Sequence, residues 1–111
     1  MSAPVNLGEF EQLILLAILR RRDDAYGVTI RAELADRAGR TVAPGALYTA
    51  LERLETKGLI ISRMSEPTPQ RGGRAKRLVT VTAAGVKALT RSVRAYERLL
   101  DGLNLVRGAH A

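Results

Sequence analysis

Leucine recurs at helical spacing in the middle of the chain. Within residues 44–57, Leu47, Leu51 and Leu54 are four and three residues apart, which places them on one side of an α-helix. The other sides carry small, hydroxylated and charged residues. Pro44 suits the first helical position, and Gly58 suits the position after the last turn. The pattern predicts an amphipathic helix with one buried side and one polar side.

Two further helices are predicted before this one. From Gly8 to about Arg22 the sequence is apolar on nearly every side, which predicts a helix that is buried in more than one direction. A second helix, about Ala25 to Ala38, follows Asp23 and Asp24, whose side chains suit an N-cap. The second and third helices are joined by a few residues, which is the arrangement of a helix-turn-helix.

After the third helix the pattern changes to an alternation of period two. Residues 59–65 and 77–82 are rich in β-forming side chains, and residues 66–76 between them contain two prolines and a Gly-Gly pair. We therefore predict a β-hairpin with a long, basic tip. A hairpin placed directly after a helix-turn-helix is typical of a wing.

The last predicted helix runs from about Ala83 to Val106, with Thr82 as its cap. Its apolar residues alternate between spacings of three and four, which is the spacing of a heptad seam. The seam consists of Val86, Leu89, Val93, Tyr96, Leu100 and Leu103. We expect it to pack against another subunit, together with the first helix; the alternative is that it folds back on its own domain.

These elements define the predicted fold class: mainly α with a small β-hairpin (α+β), a winged helix-turn-helix plus a C-terminal dimerisation helix. A chain of 111 residues suggests one compact unit. We expect residues 1–82 to form the winged domain and residues 83–111 the dimerisation helix and tail. A core this small is marginally stable, so association of two copies would help it.

Charge and composition narrow the function. The net formal charge of +7 favours a polyanionic partner. There is no cysteine, and His110, the only histidine, lies next to the last residue, which argues against thiol catalysis, a Ser-His-Asp triad and a metal site. We predict no enzymatic activity, no metal and no cofactor. The apolar run Leu13 to Leu19 is too short to span a bilayer and lacks the flanks of a signal peptide, so a cytoplasmic protein with no membrane partner is expected.

Several of these segments together resemble the PadR-type transcriptional regulators, over nearly the whole chain. The resemblance rests on Phe10 to Leu19, Ala25-Tyr26-Gly27, Pro44-Gly45-Ala46-Leu47-Tyr48 with Leu51 and Leu54, Gly58-Leu59-Ile60, Arg71-Gly72-Gly73-Arg74 with Lys76, and Val81 to Gly85. The single C-terminal helix resembles the short subgroup of that family. The chain departs from the pattern at Ala43, where a Ser or Thr cap is common, at Leu78 and Val79, where an aromatic is common, and in having no tryptophan.

The resemblance implies a homodimeric winged-helix repressor that binds double-stranded DNA at a roughly palindromic operator. Some members release DNA when a small molecule binds, so an effector site between the two subunits is a further expectation. The absence of tryptophan removes the residue on which members that bind planar drugs often stack them. The interface residues predicted from the seam and the first helix are Phe10, Leu13, Ile14, Val86, Leu89, Val93, Tyr96, Leu100 and Leu103.

We expect the third helix to enter the major groove, which admits an α-helix. Thr49 and Arg53 are the candidates for contacts to base edges, and arginine to guanine is the commonest specific pairing. The other predicted DNA contacts are Thr41, Gly45, Tyr48, Arg71, Gly72, Gly73, Arg74 and Lys76. Two alternatives stay open for individual residues: Tyr48 as a core aromatic with a solvated tip, and Arg53 as the ion-pair partner of Glu52 or Glu55.

Two alternatives to a sequence-specific regulator also follow from the sequence. A winged helix can serve as a protein-interaction module, or it can bind DNA without sequence preference as an architectural protein. The basic wing argues against the first of these. Binding that disappears with salt on every sequence alike would favour the second.

Overall fold

The computed structural model describes residues 7–66 and 75–105. Its elements in chain order are α1 (Glu9–Arg21), a short 3₁₀ turn (Arg22–Asp24), α2 (Gly27–Ala38), α3 (Pro44–Thr56), β1 (Ile60–Met64), β2 (Arg77–Val81) and α4 (Ala83–Leu100). The predicted fold class, a mainly helical chain with one small hairpin in winged helix-turn-helix order, is confirmed. No helix in the described ranges is long and apolar enough to cross a membrane.

One hydrophobic core joins the four helices and the hairpin. The leucine stripe of α3 is fully buried, as its spacing predicts, and it belongs to the same buried cluster as residues of the other helices and of the hairpin. The largest fully buried side chains are Ile14, Leu15, Ile18, Ile30, Leu47, Leu51, Leu54, Leu59 and Ile60. The core therefore fixes α3 from one side and leaves its other side to solvent.

The hairpin is antiparallel, with Ile60 paired to Val81 and Met64 paired to Arg77. The loop before α2 joins the same sheet, because the Val79 N–H donates to the Ala25 carbonyl at 2.9 Å. The wing is thus attached to the helix-turn-helix through backbone hydrogen bonds as well as through the buried side chain of Val79. The predicted wing tip, Arg71 to Arg74, lies outside the described residues.

The predicted cap of α2 is wrong. Asp23 and Asp24 lie in the 3₁₀ turn, and α2 begins later, with Tyr26 as its N-cap. Thr29 supplies the capping oxygen instead: its Oγ1 accepts from the Tyr26 N–H at 3.0 Å and donates to the Asp24 carbonyl at 2.6 Å. Thr29 is buried, so the same side chain caps the helix and fixes the preceding turn against it.

The last helix is shorter than predicted. It begins as expected, with Thr82 Oγ1 accepting from the Gly85 N–H at 3.0 Å, but it ends at Leu100 and not near Val106. Gly102 follows with a positive φ of 85°, a conformation that favours glycine and that no α-helix continues through. Leu103, the last residue of the predicted seam, therefore lies beyond the end of the helix.

Candidate nucleic-acid interface

The exposed side of α3 is the centre of the candidate interface. Leu47, Leu51 and Leu54 anchor the helix in the core. Because residues three and four apart share a side of a helix, the opposite side presents Gly45, Thr49, Glu52 and Thr56, and all four are exposed. The helix thus offers a polar surface on a rigid support, and the sequence pattern predicted this division correctly.

Two larger side chains flank that surface on α3. Tyr48 is half exposed, and its ring packs towards α2, close to Gly27. Arg53 is exposed on the opposite flank and forms no hydrogen bond or ion pair within the described ranges. The Arg53 guanidinium is therefore exposed to solvent and available to a ligand.

Glu55 pairs with the wing and not with Arg53. Its carboxylate accepts from Arg77 Nη2 at 2.6 Å and from Ser62 Oγ at 3.1 Å. These hydrogen bonds lower the pKa of Glu55 below its usual value of 4.5, and they outweigh partial desolvation. The contact fixes both strands of the hairpin to the last turn of α3, so the Arg77 guanidinium is engaged in holding the fold together.

A groove of about 420 Å³ connects α3, the start of α2 and the wing. The Lys76 ammonium lies 4.6 Å from the centre of the Tyr26 ring, a cation–π distance. Val28, in the first turn of α2, is 64% exposed. The first N–H groups of an α-helix have no partner within the helix. The groove is lined by Tyr26, Gly27, Val28, Tyr48, Leu51, Ala75, Lys76 and Arg77.

Tyr26 and Val28 were not among the residues predicted to contact DNA. Both belong to the segment that opens α2, and only the fold brings that segment beside Lys76 and Tyr48. The start of a helix carries unsatisfied N–H groups and the positive end of the helix dipole, which together favour an anion. Three kinds of hydrogen-bond donor thus line one groove: the start of α2, the Tyr48 hydroxyl and the Lys76 ammonium.

Thr41 is exposed in the connection between α2 and α3. The next residue, Val42, is buried, and its carbonyl accepts from Arg31 Nε at 2.7 Å. This hydrogen bond holds the turn that sets the angle between the two helices. Thr41 therefore lies on a fixed part of the backbone at the edge of the polar surface of α3.

The residues predicted for a subunit interface divide into two groups. Ile14 and Leu89 lie inside the chain's own core, and Phe10, Leu13 and Val93 are partly buried against it. Val86, Tyr96 and Leu103 remain exposed, and Leu100 is half buried. Leu99, which the seam did not include, is 77% exposed, and Leu16 and Leu19 of α1 are exposed as well. The unpartnered apolar surface of α4 is thus wider than the heptad spacing alone indicated.

Comparison with known proteins settles the family. Residues 15–91, which run from α1 into α4, match the model of the transcriptional regulator PadR-like family. The chain belongs to the PadR-like family of transcriptional regulators. A curated PadR-like relative, transcriptional regulator Rv3488 of Mycobacterium tuberculosis, is 40% identical over 77 residues, which are 69% of this chain and 67% of that protein.

Solved structures agree with this assignment. A PadR family transcription regulator from Clostridium difficile superposes with a TM-score of 0.71 at 25% identity, covering 87% of this chain and 97% of that one. A PadR-like transcription factor from Bacteroides fragilis superposes with a TM-score of 0.69 at 26% identity, covering 87% and 88%. The predicted resemblance is confirmed, and DNA-binding transcriptional regulation is the function class of this PadR-like protein.

Acid is expected to destabilise this PadR-like regulator. Partial burial opposes ionisation of Glu11 and Glu33, but hydrogen bonds from Lys57 and Gly8 to the first, and from Arg21 and Arg20 to the second, lower the pKa of each. The pKa of Glu55 is lowered too. Because the unfolded chain takes up protons near pH 4.5 and the folded chain only at lower pH, stability is present above that value. It is lost as the pH falls through the folded pKa values.

Urea unfolding midpoints measured between about pH 3 and pH 7 test this expectation. The midpoint should hold steady at the upper end and fall at the acid end. Glu55→Gln removes one of the three carboxylates and should make the acid-side fall shallower. Midpoints that do not change with pH would contradict the assigned role of these ion pairs.

Proposed function

We propose that this PadR-like protein is a homodimeric repressor that binds double-stranded DNA in a sequence-specific manner, with α3 in the major groove. The observation that carries the proposal is the division of α3: a buried leucine stripe on one side and an exposed polar surface on the other. The width of the major groove accommodates one α-helix. We expect Thr49 and Arg53, both exposed, to contact base edges, and exposed Glu52 to accept from a cytosine amino group.

Contacts to the DNA backbone are proposed for the groove between α2, α3 and the wing. Phosphate oxygens accept from backbone N–H groups at helix starts, from tyrosine hydroxyls and from lysine. The start of α2, Tyr48 and Lys76 supply these three donors around one groove. Thr41 and Gly45, both exposed at the same edge, complete the backbone contacts on our proposal.

The wing tip is proposed to lie along the DNA outside the major groove. Arg71 and Arg74 would contact phosphates or enter the minor groove, and Gly72 and Gly73 would allow the chain to bend there. Two features of the described part support this. Lys76, which precedes β2, is exposed beside the start of α2, and Arg77, the first residue of β2, holds the wing against α3.

Dimerisation is proposed through α1 and α4. Five exposed apolar side chains support it: Leu16 and Leu19 of α1, and Val86, Tyr96 and Leu99 of α4. Single apolar residues at a surface are ordinary, but a set along two neighbouring helices marks an interaction surface. A two-fold dimer implies an operator with two related half-sites about 34 Å apart.

An effector site is proposed in the same region. A groove of about 440 Å³ lies between α1 and α4, lined by Leu16, Leu89, Thr90, Val93, Arg94 and Glu97. A small molecule bound there would contact both helices of the proposed interface, so it could change the separation of the two α3 helices. This would release DNA and relieve repression.

A hydroxyl-radical footprint on the DNA upstream of the protein's own gene tests the proposed arrangement. We expect two protected regions about one helical turn apart and related by symmetry. Sedimentation of the free protein should give the mass of two chains. A footprint with a single protected region, or a monomer in sedimentation at the concentration that protects DNA, would contradict the proposal.

Lys76→Gln is expected to weaken binding to all DNA sequences alike. The substitution removes one proposed phosphate contact and no base contact, so the slope of log K against log salt should become shallower by about 0.9. Arg37→Gln is the matched control, because Arg37 is an exposed cation of α2 that pairs with Glu33 at 3.0 Å. An equal loss of slope in both variants would show a general charge effect and exclude a specific role for Lys76.

A further inference from the structure

The positive charge of this protein is unevenly distributed. Residues 1–66 contain nine basic and nine acidic side chains, so the helix-turn-helix has no net formal charge. Residues 67–82 contain four basic side chains and no acidic one, and residues 83–111 contain five basic and two acidic ones. The net charge of +7 therefore resides entirely in the wing and in the C-terminal part of the chain.

The basic side chains of the helix-turn-helix are largely occupied. Glu33 alone accepts from Arg20 at 3.2 Å, from Arg21 at 3.4 Å and from Arg37 at 3.0 Å. Arg40 pairs with Glu9 at 3.2 Å, and Lys57 pairs with Glu11 at 2.8 Å. These pairs neutralise the surface formed by α1 and α2.

The basic residues of α4 differ from these. They are spaced by four, three and four residues, so they lie along one side of the helix, and we call them the α4 stripe: Lys87, Arg91, Arg94 and Arg98. All four are exposed, and none has an ion pair within residues 7–66 and 75–105. The stripe extends over about 16 Å of helix.

The α4 stripe faces away from the core. Helix α4 packs on α1 and β2 through Gly85, Ala88 and Leu89, which lie on the other side of the helix. Helix α3 packs chiefly on α2 and β1. The stripe and the polar surface of α3 are thus supported by different elements, and no residue of the stripe belongs to the proposed operator interface. It borders an open groove of about 520 Å³ whose floor is Ala83, Val86 and Thr90.

We infer that the α4 stripe binds the phosphate backbone of duplex DNA, on a duplex segment separate from the one that α3 contacts. Four like charges in a row repel one another, and a polyanion removes that repulsion while it releases its own counterions. Duplex DNA carries one negative charge per about 1.7 Å of its axis, so a straight stripe of this length meets several phosphates in any register. Three of the four cations are arginines, whose planar groups bind phosphate in a bidentate manner.

This inference does not depend on sequence-specific contacts of α3. It adds a second activity to the proposed regulator: one protein would hold two duplex segments at once. An acidic protein partner would need carboxylates at a matching spacing to neutralise the stripe, whereas DNA supplies phosphates at every position along its length. DNA binding at this surface is therefore expected to show no sequence preference.

The first test measures binding of an unrelated duplex of about three helical turns by fluorescence anisotropy, over about 50 to 200 mM salt. Arg91→Gln/Arg98→Gln should lower the slope of log K against log salt by about 2 relative to the unaltered protein. Arg20→Gln/Arg37→Gln removes the same charge from exposed positions that pair with Glu33 and should change the slope less. Equal slopes for the two double variants would overturn the inference.

The second test asks whether two duplexes are held together. The DNA upstream of the protein's own gene carries one fluorophore, the unrelated duplex carries another, and complexes that contain both are counted. The unaltered protein should form them, and Arg91→Gln/Arg98→Gln should bind the upstream DNA and lose the second duplex. Arg53→Ala should lose its preference for the upstream DNA and still capture the unrelated duplex through the stripe. Unchanged preference for the upstream DNA in Arg53→Ala, with capture of the unrelated duplex retained, would contradict the proposed role of Arg53 on α3 and leave the stripe in place.

Two results would overturn the separate-duplex arrangement. Lengthening the upstream duplex at both ends could strengthen binding of the unaltered protein but not of the stripe variant, which would place the stripe on flanking DNA of the same duplex. Alternatively, sedimentation could show that Arg91→Gln/Arg98→Gln changes the number of chains in the particle, which would assign the stripe to contacts between subunits. We expect neither change.

Discussion

Gly85→Ala is expected to lower the free energy of unfolding by about 3 kcal/mol, at the upper end of the usual range for added volume in a packed interior. A Cβ at position 85 would overlap the Leu59 carbonyl oxygen and lie 2.6 Å from Val81 Cγ1. The Leu59 carbonyl cannot move aside at no cost, because it accepts from the Thr82 N–H at 2.9 Å. The added methyl group would therefore separate the first turn of α4 from the wing or break that hydrogen bond.

Gly45→Ala is the matched control for this result. Gly45 occupies the first turn of α3 as Gly85 occupies the first turn of α4, but a Cβ at position 45 meets nothing within 4 Å. Alanine there should leave the free energy of unfolding unchanged or raise it, since alanine favours helix more than glycine does. Urea unfolding of both variants measures the difference. Equal stability of the two would show that the contact between α4 and Leu59 is not tight.

Gly45→Ala also bears on the proposed interface. If the backbone of α3 approaches DNA closely at this position, the methyl group will weaken DNA binding in a protein whose stability is unimpaired. Unchanged DNA affinity would remove Gly45 from the proposed contacts. The two measurements on one variant separate its folding from its binding.

Arg53→Ala is expected to reduce discrimination between the operator and unrelated DNA by about 1 to 3 kcal/mol, which is a loss of roughly one to two powers of ten in the affinity ratio. Arg53 is exposed, free of ion pairs in the part of the chain that the structure describes, and flanks the polar surface of α3. Its removal should leave the fold intact, because it contributes no buried contact. Competition binding with operator and unrelated duplexes measures the ratio.

The control for Arg53→Ala is Lys76→Gln, which removes a charge of the same sign from the proposed backbone contacts. Lys76→Gln should weaken both duplexes equally and keep their ratio, whereas Arg53→Ala should change the ratio. If Arg53→Ala also lowers both affinities by the same factor, Arg53 contacts phosphate and the contacts to base edges lie elsewhere on α3, with Thr49 and Glu52 as the remaining candidates.

Much of this fold follows from local patterns. The spacing of Leu47, Leu51 and Leu54 predicted both the helix and its buried side, and Pro44 and Gly58 marked its ends within two residues. The change to period two predicted the hairpin. These features depend on interactions between near neighbours in the chain, which is why the sequence alone indicates them.

The errors arise where distant segments meet. The two acidic residues before α2 resemble an N-cap. Thr29 fills that role instead, through hydrogen bonds to Tyr26 and to the Asp24 carbonyl. The packing of the folded chain determines which of these residues caps the helix. The groove between Tyr26 and Lys76 forms only when the hairpin packs against α2, and no local sequence pattern encodes that packing. The pairing of Glu55 with Arg77, 22 residues away, is of the same kind, and it removed the alternative of a pair between Arg53 and Glu55.

The seam of α4 shows both effects. Its heptad spacing identified the amphipathic helix, yet Leu89 packs inside its own chain, while Leu99, outside the seam, is exposed. A heptad describes a helix that faces one neighbour, and α4 faces its own domain on one side and solvent on another. The spacing could therefore predict that α4 has an apolar surface. It could not predict which of these residues pack inside the chain and which stay exposed.

A single titration tests whether this protein binds DNA in a sequence-specific manner. The purified protein is titrated against the DNA upstream of its own gene and against an unrelated duplex of equal length, at a series of salt concentrations. We predict tighter binding to the upstream DNA, with a ratio of affinities that persists as salt weakens both. Equal affinities that disappear together as salt rises would contradict the claim and leave a basic surface without sequence preference.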